Sequence, residues 1–288
     1  MINVIGDIII DEYWHGKTTR LSPEAPVPIV ELGSKQVSLG GASNVYSNLK
    51  SLTKDVKLLG LVHEDYKHYF DDTTHLISTR KMPVKIRIIS DSHYITRVDD
   101  EEYMDNNPLI DHLLVYGKKL KPNDIFFISD YAKGTIASPS GIINYLNMRE
   151  QRIIVDPKLS LDHYKNSWLL KPNRKEFESY AGKSSNIKGI KQKAIEIRKE
   201  LNVSHLVITL SEDGVLWISE DNCEHIPTRA KSVYDVTGAG DTFGAVLAYG
   251  LDKNMPMLDS LKLANKAAAK AVSKNGTYVI KKSDIEWK

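Results

Sequence analysis

Short apolar runs alternate with helical patterns in the second half of the chain, and polar residues follow each apolar run. This alternation is typical of βαβ units and predicts an α/β fold with a mostly parallel central sheet. Ligands bind beyond the carboxyl ends of the strands in such sheets, so these polar residues are expected to share one edge. The strands predicted there are Ile125–Ser129, Arg152–Val155, Trp168–Lys171 and His205–Thr209.

The first hundred residues have a different pattern, in which apolar and polar residues alternate singly. The segments Pro28–Leu32, Val84–Ser90 and His93–Val98 alternate in this way, and Asp91-Ser92 provides a turn between the last two. The pattern predicts a small antiparallel sheet that forms a lid over the strand ends, with elements within about 12–35 and 83–100. Neither an internal repeat nor a linker interrupts the chain, so residues 1–288 are expected to form a single domain with this lid.

Composition narrows the class of protein. An apolar content of 41% supports a real core, and the net charge of +2 gives no field for a polyanion, so nucleic acid is not an expected partner. Cys223 is alone, which excludes an internal disulfide and fits a reducing compartment. Neither an export signal nor a membrane span is present in the pattern, so we expect a cytoplasmic protein without a membrane partner.

The stretch Asp235–Phe243 carries the strongest chemical signal. Gly238, Ala239 and Gly240 form a turn that brings backbone N–H groups close to a ligand, and the apolar run Phe243–Tyr249 predicts a helix behind it. The free N–H groups of that helix favour an anion such as a phosphoryl group. Asp241 in the first turn is then a candidate base for a substrate hydroxyl. The alternative is that Asp241 only complements the helix dipole.

Other candidate residues follow predicted strands. Asp7 and Asp11 follow the first strand and suit the vicinal hydroxyls of a sugar, although either carboxylate serves equally well to cap a turn. Asp130 and Lys133 follow the strand ending at Ser129, and Lys158 follows the next strand. Each lysine offers a point charge to a phosphate, and the alternative is a solvated surface lysine.

Two segments imitate nucleotide motifs and are rejected. Gly238-x-Gly240-x-x-Phe243 lacks the third glycine of a dinucleotide fingerprint. Ala181-Gly182-Lys183-Ser184-Ser185 imitates the end of a Walker loop, but Phe177 stands where the earlier glycine is required and no strand precedes it. The second segment is interpreted as a helix end.

The segment 235–243 resembles the signature of the ribokinase or PfkB family of sugar kinases, and Gly40-Gly41-Ala42-Ser43-Asn44 resembles a second signature of that family. The resemblance implies a ribokinase-like three-layer α/β fold and phosphoryl transfer from ATP with Mg²⁺. It also implies that Asp241 is the catalytic base, that Gly238, Ala239 and Gly240 form the anion-binding turn, and that Gly40, Gly41 and Asn44 bind the substrate. The alternative for Asn44 is an amide on a helix face.

The nucleotide side is assigned through the same resemblance. Lys171-Pro172-Asn173-Arg174-Lys175-Glu176 is similar to the family's Asn-x-x-Glu motif, in which the magnesium–nucleotide phosphates are ordered largely through water. A helix that begins after Pro172 with Glu176 in its first turn is compatible with that role. The nucleotide-binding residues implied are Asn173, Arg174, Lys175, Glu176, Thr209, Ser211, Gly214 and Asn265, with Glu176 reaching the metal through water.

Within the family the sequence most resembles the D-glycero-β-D-manno-heptose 7-phosphate kinases of lipopolysaccharide core biosynthesis. The resemblance lies in Gly6–Trp14, Arg20–Pro28, Ser129–Gly134 and Val155–Lys158. It implies transfer of the γ-phosphate of ATP to the anomeric oxygen of the heptose 7-phosphate, with Arg20, Arg87 and Lys133 as candidates to hold the 7-phosphate. Many such relatives carry a nucleotidyltransferase domain after the kinase, and the kinase alone is expected here. The segment Leu61–Met82 is shorter and more polar than its counterpart.

The sequence is also compatible with other functions. They are a PfkB-type kinase for another sugar or sugar phosphate, and a non-catalytic sugar or nucleotide sensor on the same fold; a nicotinamide oxidoreductase is disfavoured by the glycine pattern. We also expect a homodimer formed through the lid, because so small a sheet has little core of its own and leaves edges exposed. Relatives in the family use a similar clasp between lids.

Overall fold

The computed structural model describes residues 1–91, 93–102, 108–228, 234–274 and 276–285. Within these residues, nine strands form a main sheet in the order β13-β12-β11-β10-β9-β8-β1-β4-β5. The strands from β5 to β11 in this order are parallel, and β12 and β13 are antiparallel additions at one edge. Its strands are β1 (Ile2–Gly6), β4 (Val56–Val62), β5 (Leu76–Ser78), β8 (Ile125–Ser129), β9 (Arg152–Asp156), β10 (Leu169–Leu170), β11 (His205–Thr209), β12 (Val215–Ile218) and β13 (Cys223–Ile226).

Helices cover both faces of this sheet, which gives three layers. Side chains alternate along the strands, so Phe127 packs on one face while Phe126 and Ile128 pack on the other. Helices α1, α6, α7 and α8 belong to the first core, and α2 to α5 belong to the second. The helices are α1 (Ala42–Leu52), α2 (Leu109–Tyr116), α3 (Pro139–Asn147), α4 (Arg174–Ala181), α5 (Ile187–Glu200), α6 (Ala239–Asp252), α7 (Met257–Ala271) and α8 (Lys282–Ile285).

The lid is a separate sheet of four strands in the described part of the chain, in the order β3-β2-β6-β7. Its strands are β2 (Ile8–Leu21), β3 (Pro28–Gly41), β6 (Val84–Ser90) and β7 (His93–Asp100). The prediction of an all-antiparallel patch was wrong, because β2 pairs with β6 in parallel and is itself a strand that the pattern had not indicated. The predicted β3 ended at Leu32, whereas the strand continues to Gly41.

The remaining predictions were accurate to within a few residues. β6, β8 and β11 have the predicted bounds, β9 is one residue longer, and Trp168–Lys171 contains the two-residue strand β10. The predicted turn Asp91-Ser92 includes Ser92, which lies outside the described residues. α4 ends at Ala181 and is followed by Gly182 with φ 77°, so the Walker-like segment is a helix end as predicted. Among the described helices, none is both long and apolar enough to cross a membrane.

Candidate active site

A cleft lies at the carboxyl ends of β8 to β11 and faces the N-terminus of α6. Parallel strands direct their following loops to one edge, so residues distant in sequence meet there. Polar residues that follow four different strands therefore line a single cleft. The cleft is lined by Asp130, Tyr131, Asp156, Pro157, Lys158, Lys171, Asn173, Glu176, Thr209, Gly238, Gly240 and Asp241.

Asp241 lies in the first turn of α6 and is almost fully buried. One carboxylate oxygen, Oδ2, accepts a hydrogen bond from Nδ2 of Asn44 at 2.8 Å, and Oδ1 accepts one from the hydroxyl of Tyr131 at 2.7 Å. Burial raises the pKa of Asp241 to about 6, and the two hydrogen bonds oppose that rise. A carboxylate with this pKa is ionised at neutral pH and still basic enough to accept a proton.

The turn before α6 has the geometry that its glycines predicted. Gly238 caps the helix in the left-handed region, with φ 74°, and a Cβ there would lie 2.6 Å from Nδ2 of Asn44. The helix begins at Ala239, earlier than the predicted apolar run. The N–H of Ala239 donates to the carbonyl of Val236 at 3.3 Å, so the N–H of Gly240 is the one left for a ligand in this turn. This terminus opens into the cleft and suits an anion.

Lys171 and Asp156 form a buried ion pair in the cleft, which the sequence did not identify. Nζ of Lys171 lies 2.9 Å from Oδ2 of Asp156, and the lysine side chain is 3% exposed. Burial raises the pKa of Asp156, and the charge of Lys171 opposes this. Nζ of Lys171 is also 4.0 Å from the position of a Cβ on Gly240. A fixed cation therefore stands beside the anion-binding terminus of α6.

Asn173 and Glu176 begin α4 with a capping box. The side chain of Asn173 accepts the N–H of Glu176 at 2.9 Å, and Oε2 of Glu176 accepts the N–H of Asn173 at 2.9 Å. The other oxygen, Oε1, is 3.9 Å from Nζ of Lys158. Burial raises the pKa of Glu176. Asn173 and Glu176 therefore do cap the start of α4, and Oε1 of Glu176 points toward Lys158 in the cleft.

Asp7 is fully buried at the end of β1 and binds backbone rather than facing solvent. Its carboxylate accepts hydrogen bonds from the N–H groups of Tyr131 at 2.7 Å, Lys133 at 3.1 Å and Thr135 at 3.0 Å. Asp7 thus holds the loop 130–135 in place. In this structure it acts as an organiser of the site rather than as an open sugar ligand.

Asp130 is also largely satisfied by protein groups. Oδ2 accepts the hydroxyl of Tyr164 at 2.6 Å, and Oδ1 accepts the N–H of Ala132 at 2.7 Å. Burial raises the pKa of Asp130. Because Asp130 still lines the cleft, it remains within reach of a ligand there.

The candidate residues near the lid are held in ion pairs. Arg87 of β6 donates from Nη1 to Oδ1 of Asp11 at 2.5 Å, and the Cβ position of Gly40 is equally close to Oδ2 of Asp11. Nζ of Lys133 pairs with Glu101, just after β7. The Arg87–Asp11 pair therefore lies within the lid, between β6 and β2, and the Lys133–Glu101 pair links the loop after β8 to the end of the lid.

Arg20 is a substrate candidate that the fold places away from the cleft. It is exposed and opposes Ile29 near the far end of the lid. Nine positions along an extended strand from Asp11 correspond to about 30 Å. Within one chain, Arg20 is not brought to the cleft.

The nucleotide candidates occupy the neighbouring loops. Thr209 bridges to Asn173 in parallel fashion, and Gly214, with φ 88°, closes the turn before β12. Arg174 pairs with Glu178 at 3.2 Å and Asp213 at 3.4 Å. A second, shallow pocket beside the cleft is lined by Asn173, Arg174, Lys175, Glu178, Ser179, Lys183 and Ser211.

Asn265 and the segment Leu61–Met82 do not line either pocket. Nδ2 of Asn265 in α7 donates to the carbonyl of Pro227 at 3.0 Å, outside both pockets. In the segment Leu61–Met82, the hydroxyl of Tyr66 donates to Oε1 of Glu12 at 2.8 Å, so this segment rests against the base of the lid.

Similarity to known proteins extends over most of the chain. The chain matches the pfkB family of carbohydrate kinases over residues 1–283. It is 36% identical over 296 residues to the bifunctional protein HldE of Histophilus somni and 35% identical over 297 residues to that of Shewanella piezotolerans. Both alignments cover 98% of this chain but only 62% of the relative, so the chain spans less than the full length of these relatives.

Solved structures show the same fold at lower identity. Phosphofructokinase-2 from Escherichia coli in complex with potassium superposes with a TM-score of 0.80 at 15% identity, covering 99% of this chain and 96% of that one. Ribokinase from Arabidopsis thaliana, complexed with ribose and ATP, superposes with a TM-score of 0.75 at 17% identity, covering 96% and 93%. These solved structures show the fold, and the family match over residues 1–283 shows that the chain belongs to the pfkB family of carbohydrate kinases.

Proposed function

We propose that the protein transfers the γ-phosphate of ATP to the anomeric hydroxyl of D-glycero-β-D-manno-heptose 7-phosphate and so forms the 1,7-bisphosphate. The observation that carries the phosphoryl transfer is the buried carboxylate of Asp241 beside the free N-terminus of α6. The choice of sugar is supported by the resemblance of Gly6–Trp14, Arg20–Pro28, Ser129–Gly134 and Val155–Lys158 to the heptose 7-phosphate kinases.

Different residues of the cleft accept the proton and stabilise the negative charge. Asp241 accepts the proton of the sugar hydroxyl as that oxygen bonds to the γ-phosphorus and the bond from phosphorus to the bridging oxygen of ADP breaks. The N–H of Gly240 at the N-terminus of α6 and the ammonium of Lys171 face the phosphoryl oxygens, where negative charge accumulates. These donors are fixed by the fold before the substrate arrives.

Magnesium is expected with the nucleotide, and the residues present fit it. Among the described residues, no group of three or more His, Cys, Asp or Glu side chains is arranged to hold a metal ion by itself. Mg²⁺ retains several waters and needs few protein ligands when phosphates supply the rest. Oε1 of Glu176 would hold it through water, and the ion would neutralise charge on the phosphates.

The first prediction concerns Asp241→Asn, in which the amide keeps the shape but cannot accept a proton. We expect kcat to fall on the order of 10²–10⁴-fold, with ATP binding changed little. Steady-state kinetics and calorimetric titration with ATP measure the two quantities. Asp259→Asn is the matched control, since Asp259 occupies the same first-turn position in α7 but is half-exposed and pairs only weakly with Lys262 at 4.0 Å.

Asp259→Asn is expected to retain full activity. If Asp241→Asn were to do the same, Asp241 would be a partner of the helix dipole and not a base. Loss of ATP binding in Asp241→Asn would instead indicate a damaged site and leave the assignment without support.

The second prediction concerns the substrate phosphate. Arg87→Ala removes a cation from the lid and Lys133→Ala removes one from the loop after β8. We expect each to raise the KM for the sugar phosphate on the order of tenfold with little change in the KM for ATP. Arg97→Ala is the control, because Arg97 opposes Arg87 in the lid but its side chain is 56% exposed and pairs with Asp99.

A coupled assay against phosphorylated heptoses, hexoses and pentoses identifies the sugar. Preference for a phosphorylated hexose or pentose would support a PfkB-type kinase of another specificity. Selective use of unphosphorylated sugars, or unchanged KM values in both variants, would reject the proposed phosphate contacts.

A further inference from the structure

We infer that Tyr131 is a positioning residue for the catalytic base, an inference that rests on the proposed role of Asp241. Its hydroxyl donates to Oδ1 of Asp241 at 2.7 Å, while the amide of Asn44 donates to Oδ2 at 2.8 Å. With one donor on each oxygen, the carboxylate cannot rotate freely about its Cβ–Cγ bond. Each oxygen still has acceptor capacity for the sugar hydroxyl.

The position of Tyr131 is itself fixed by a buried carboxylate. Its backbone N–H donates to Oδ2 of Asp7, and the same oxygen accepts the N–H of Lys133. Ala132 between them has φ 56°, and its N–H is held by Asp130 at 2.7 Å. These hydrogen bonds fix the loop and therefore the position from which the Tyr131 side chain reaches Asp241. Asp7 thus orients Asp241 through Tyr131.

The hydroxyl of Tyr131 also affects the charge state of Asp241. The ionisable groups that face Asp241 are Tyr131, Asp156 and Lys171, with Glu176 close to Tyr131. Burial and the charge of Asp241 raise the pKa of Tyr131 well above its usual range, so the phenol remains a donor throughout the working pH range. Donation to a carboxylate stabilises its ionised form. Without this hydroxyl, Asp241 would hold its proton to higher pH.

The experiment compares Tyr131→Phe with the unmodified enzyme by recording kcat and kcat/KM from pH 5 to 9. We expect the acidic limb of both profiles to move upward by about one pH unit and kcat at pH 7 to fall on the order of tenfold, with the KM for ATP nearly unchanged. Tyr116→Phe is the control, because Tyr116 is also buried and its hydroxyl donates to Oδ1 of Asn3 at 2.6 Å, in the core. Its acidic limb should stay in place.

A second measurement does not depend on turnover. In protein labelled with ¹³C at aspartate carboxyls, the resonance absent from Asp241→Asn identifies Asp241, and its titration should shift upward in Tyr131→Phe. An unmoved titration, or an unmoved acidic limb in an active Tyr131→Phe enzyme, would overturn the inference. If the unmodified protein transfers no phosphoryl group to heptose 7-phosphate, the proposed substrate fails, while the carboxyl titration still decides the role of Tyr131.

Discussion

Gly238 and Gly240 are two residues apart in the anion-binding turn, yet they are glycine for different reasons. At Gly238 the backbone is left-handed, and a Cβ would collide with the amide of Asn44 that holds Asp241. At Gly240 the backbone is helical, and the nearest group to a Cβ is Nζ of Lys171 at 4.0 Å. The first glycine is therefore required by the fold, whereas the second leaves room at the place where a phosphate would approach.

The two alanine variants should therefore differ. We expect Gly238→Ala to lower the free energy of unfolding by about 1–2 kcal/mol and to reduce kcat, because the strained turn displaces Asn44. Gly240→Ala should keep or gain up to ~1 kcal/mol, since alanine favours a helix, yet lose activity because its methyl group occupies the phosphate approach. Thermal denaturation and steady-state kinetics separate these effects. Full activity in Gly240→Ala would show that phosphate does not approach this residue.

Gly33→Ala serves as the control for both variants. Gly33 lies in the lid, where a Cβ would only reach ordinary contact distance, 3.4 Å from the carbonyl of His15. Neither stability nor kcat should change in this variant.

Individual residues were predictable where local sequence determines their role. The turn at Gly238 and the first-turn position of Asp241 follow from a motif of a few residues. Tyr131 and Lys171 were not singled out, because their partners Asp241 and Asp156 are distant in sequence and only the fold brings them together. Asp7 was identified as a carboxylate at a strand end, but its occupation by backbone N–H groups depends on a loop more than a hundred residues later.

At the scale of elements, the start of β11 packs an imidazole between two indoles. His205 meets the ring of Trp168 edge-on at 5.0 Å, and Nε1 of Trp217 donates to its Nδ1 at 3.3 Å. The indole N–H requires an acceptor, so the imidazole is neutral and carries its proton on Nε2. Burial lowers the pKa of His205 to about 4.

His205 should make the free energy of unfolding depend on pH. The unfolded chain takes up a proton on His205 near pH 6.5, whereas the folded protein resists it until about pH 4, so the free energy of unfolding falls as pH decreases through that window. Allowing for partial exposure, the loss is about 2 kcal/mol. Urea denaturation at pH 7 and pH 5 should show a smaller loss in His205→Gln than in the unmodified protein. Exposed His163→Gln is the control, and equal losses in all three proteins would contradict the assignment.

Strands in the main sheet were more predictable than strands in the lid, for a physical reason. β8 and β11 are buried on both faces, so they form continuous apolar runs bounded by polar residues. β2 is buried only over its first residues and then continues as a ribbon of mixed polar side chains, so neither a run nor a regular alternation marks it. β10 has only two residues, and the side chain of Lys171, which follows them, pairs with Asp156 in the cleft.

At the scale of the whole molecule, the lid exposes apolar surface that the body does not cover. All eight residues of β7 are exposed, among them Tyr94 at 62%, and Leu32 of β3 is 50% exposed. Two-sided exposure of a small sheet favours association. We therefore propose that the protein forms a homodimer through its lids.

Light scattering coupled to size exclusion tests the dimer. We expect a mass twice that of the 32.5 kDa chain at micromolar concentration, and a return to one chain in the double variant Leu32→Glu with Val98→Glu, which places charge on the exposed lid. Val115→Glu is the control, since Val115 is 63% exposed on α2, away from the lid, and should leave the mass unchanged. A single-chain mass for the unmodified protein, with substrate and nucleotide present, would refute the clasp.

Two of the connections between the lid and the body lie next to residues that hold Asp241 in place. β2 begins immediately after Asp7, and β3 ends at Gly41, three residues before Asn44. A rotation of the lid about these two connections would therefore move both Asp7, which holds the Tyr131 loop, and helix α1, which carries Asn44. We expect Asp241 to be misaligned while the lid is open. Water that enters the cleft in the absence of sugar is then activated poorly, so the enzyme should hydrolyse little ATP before the sugar binds.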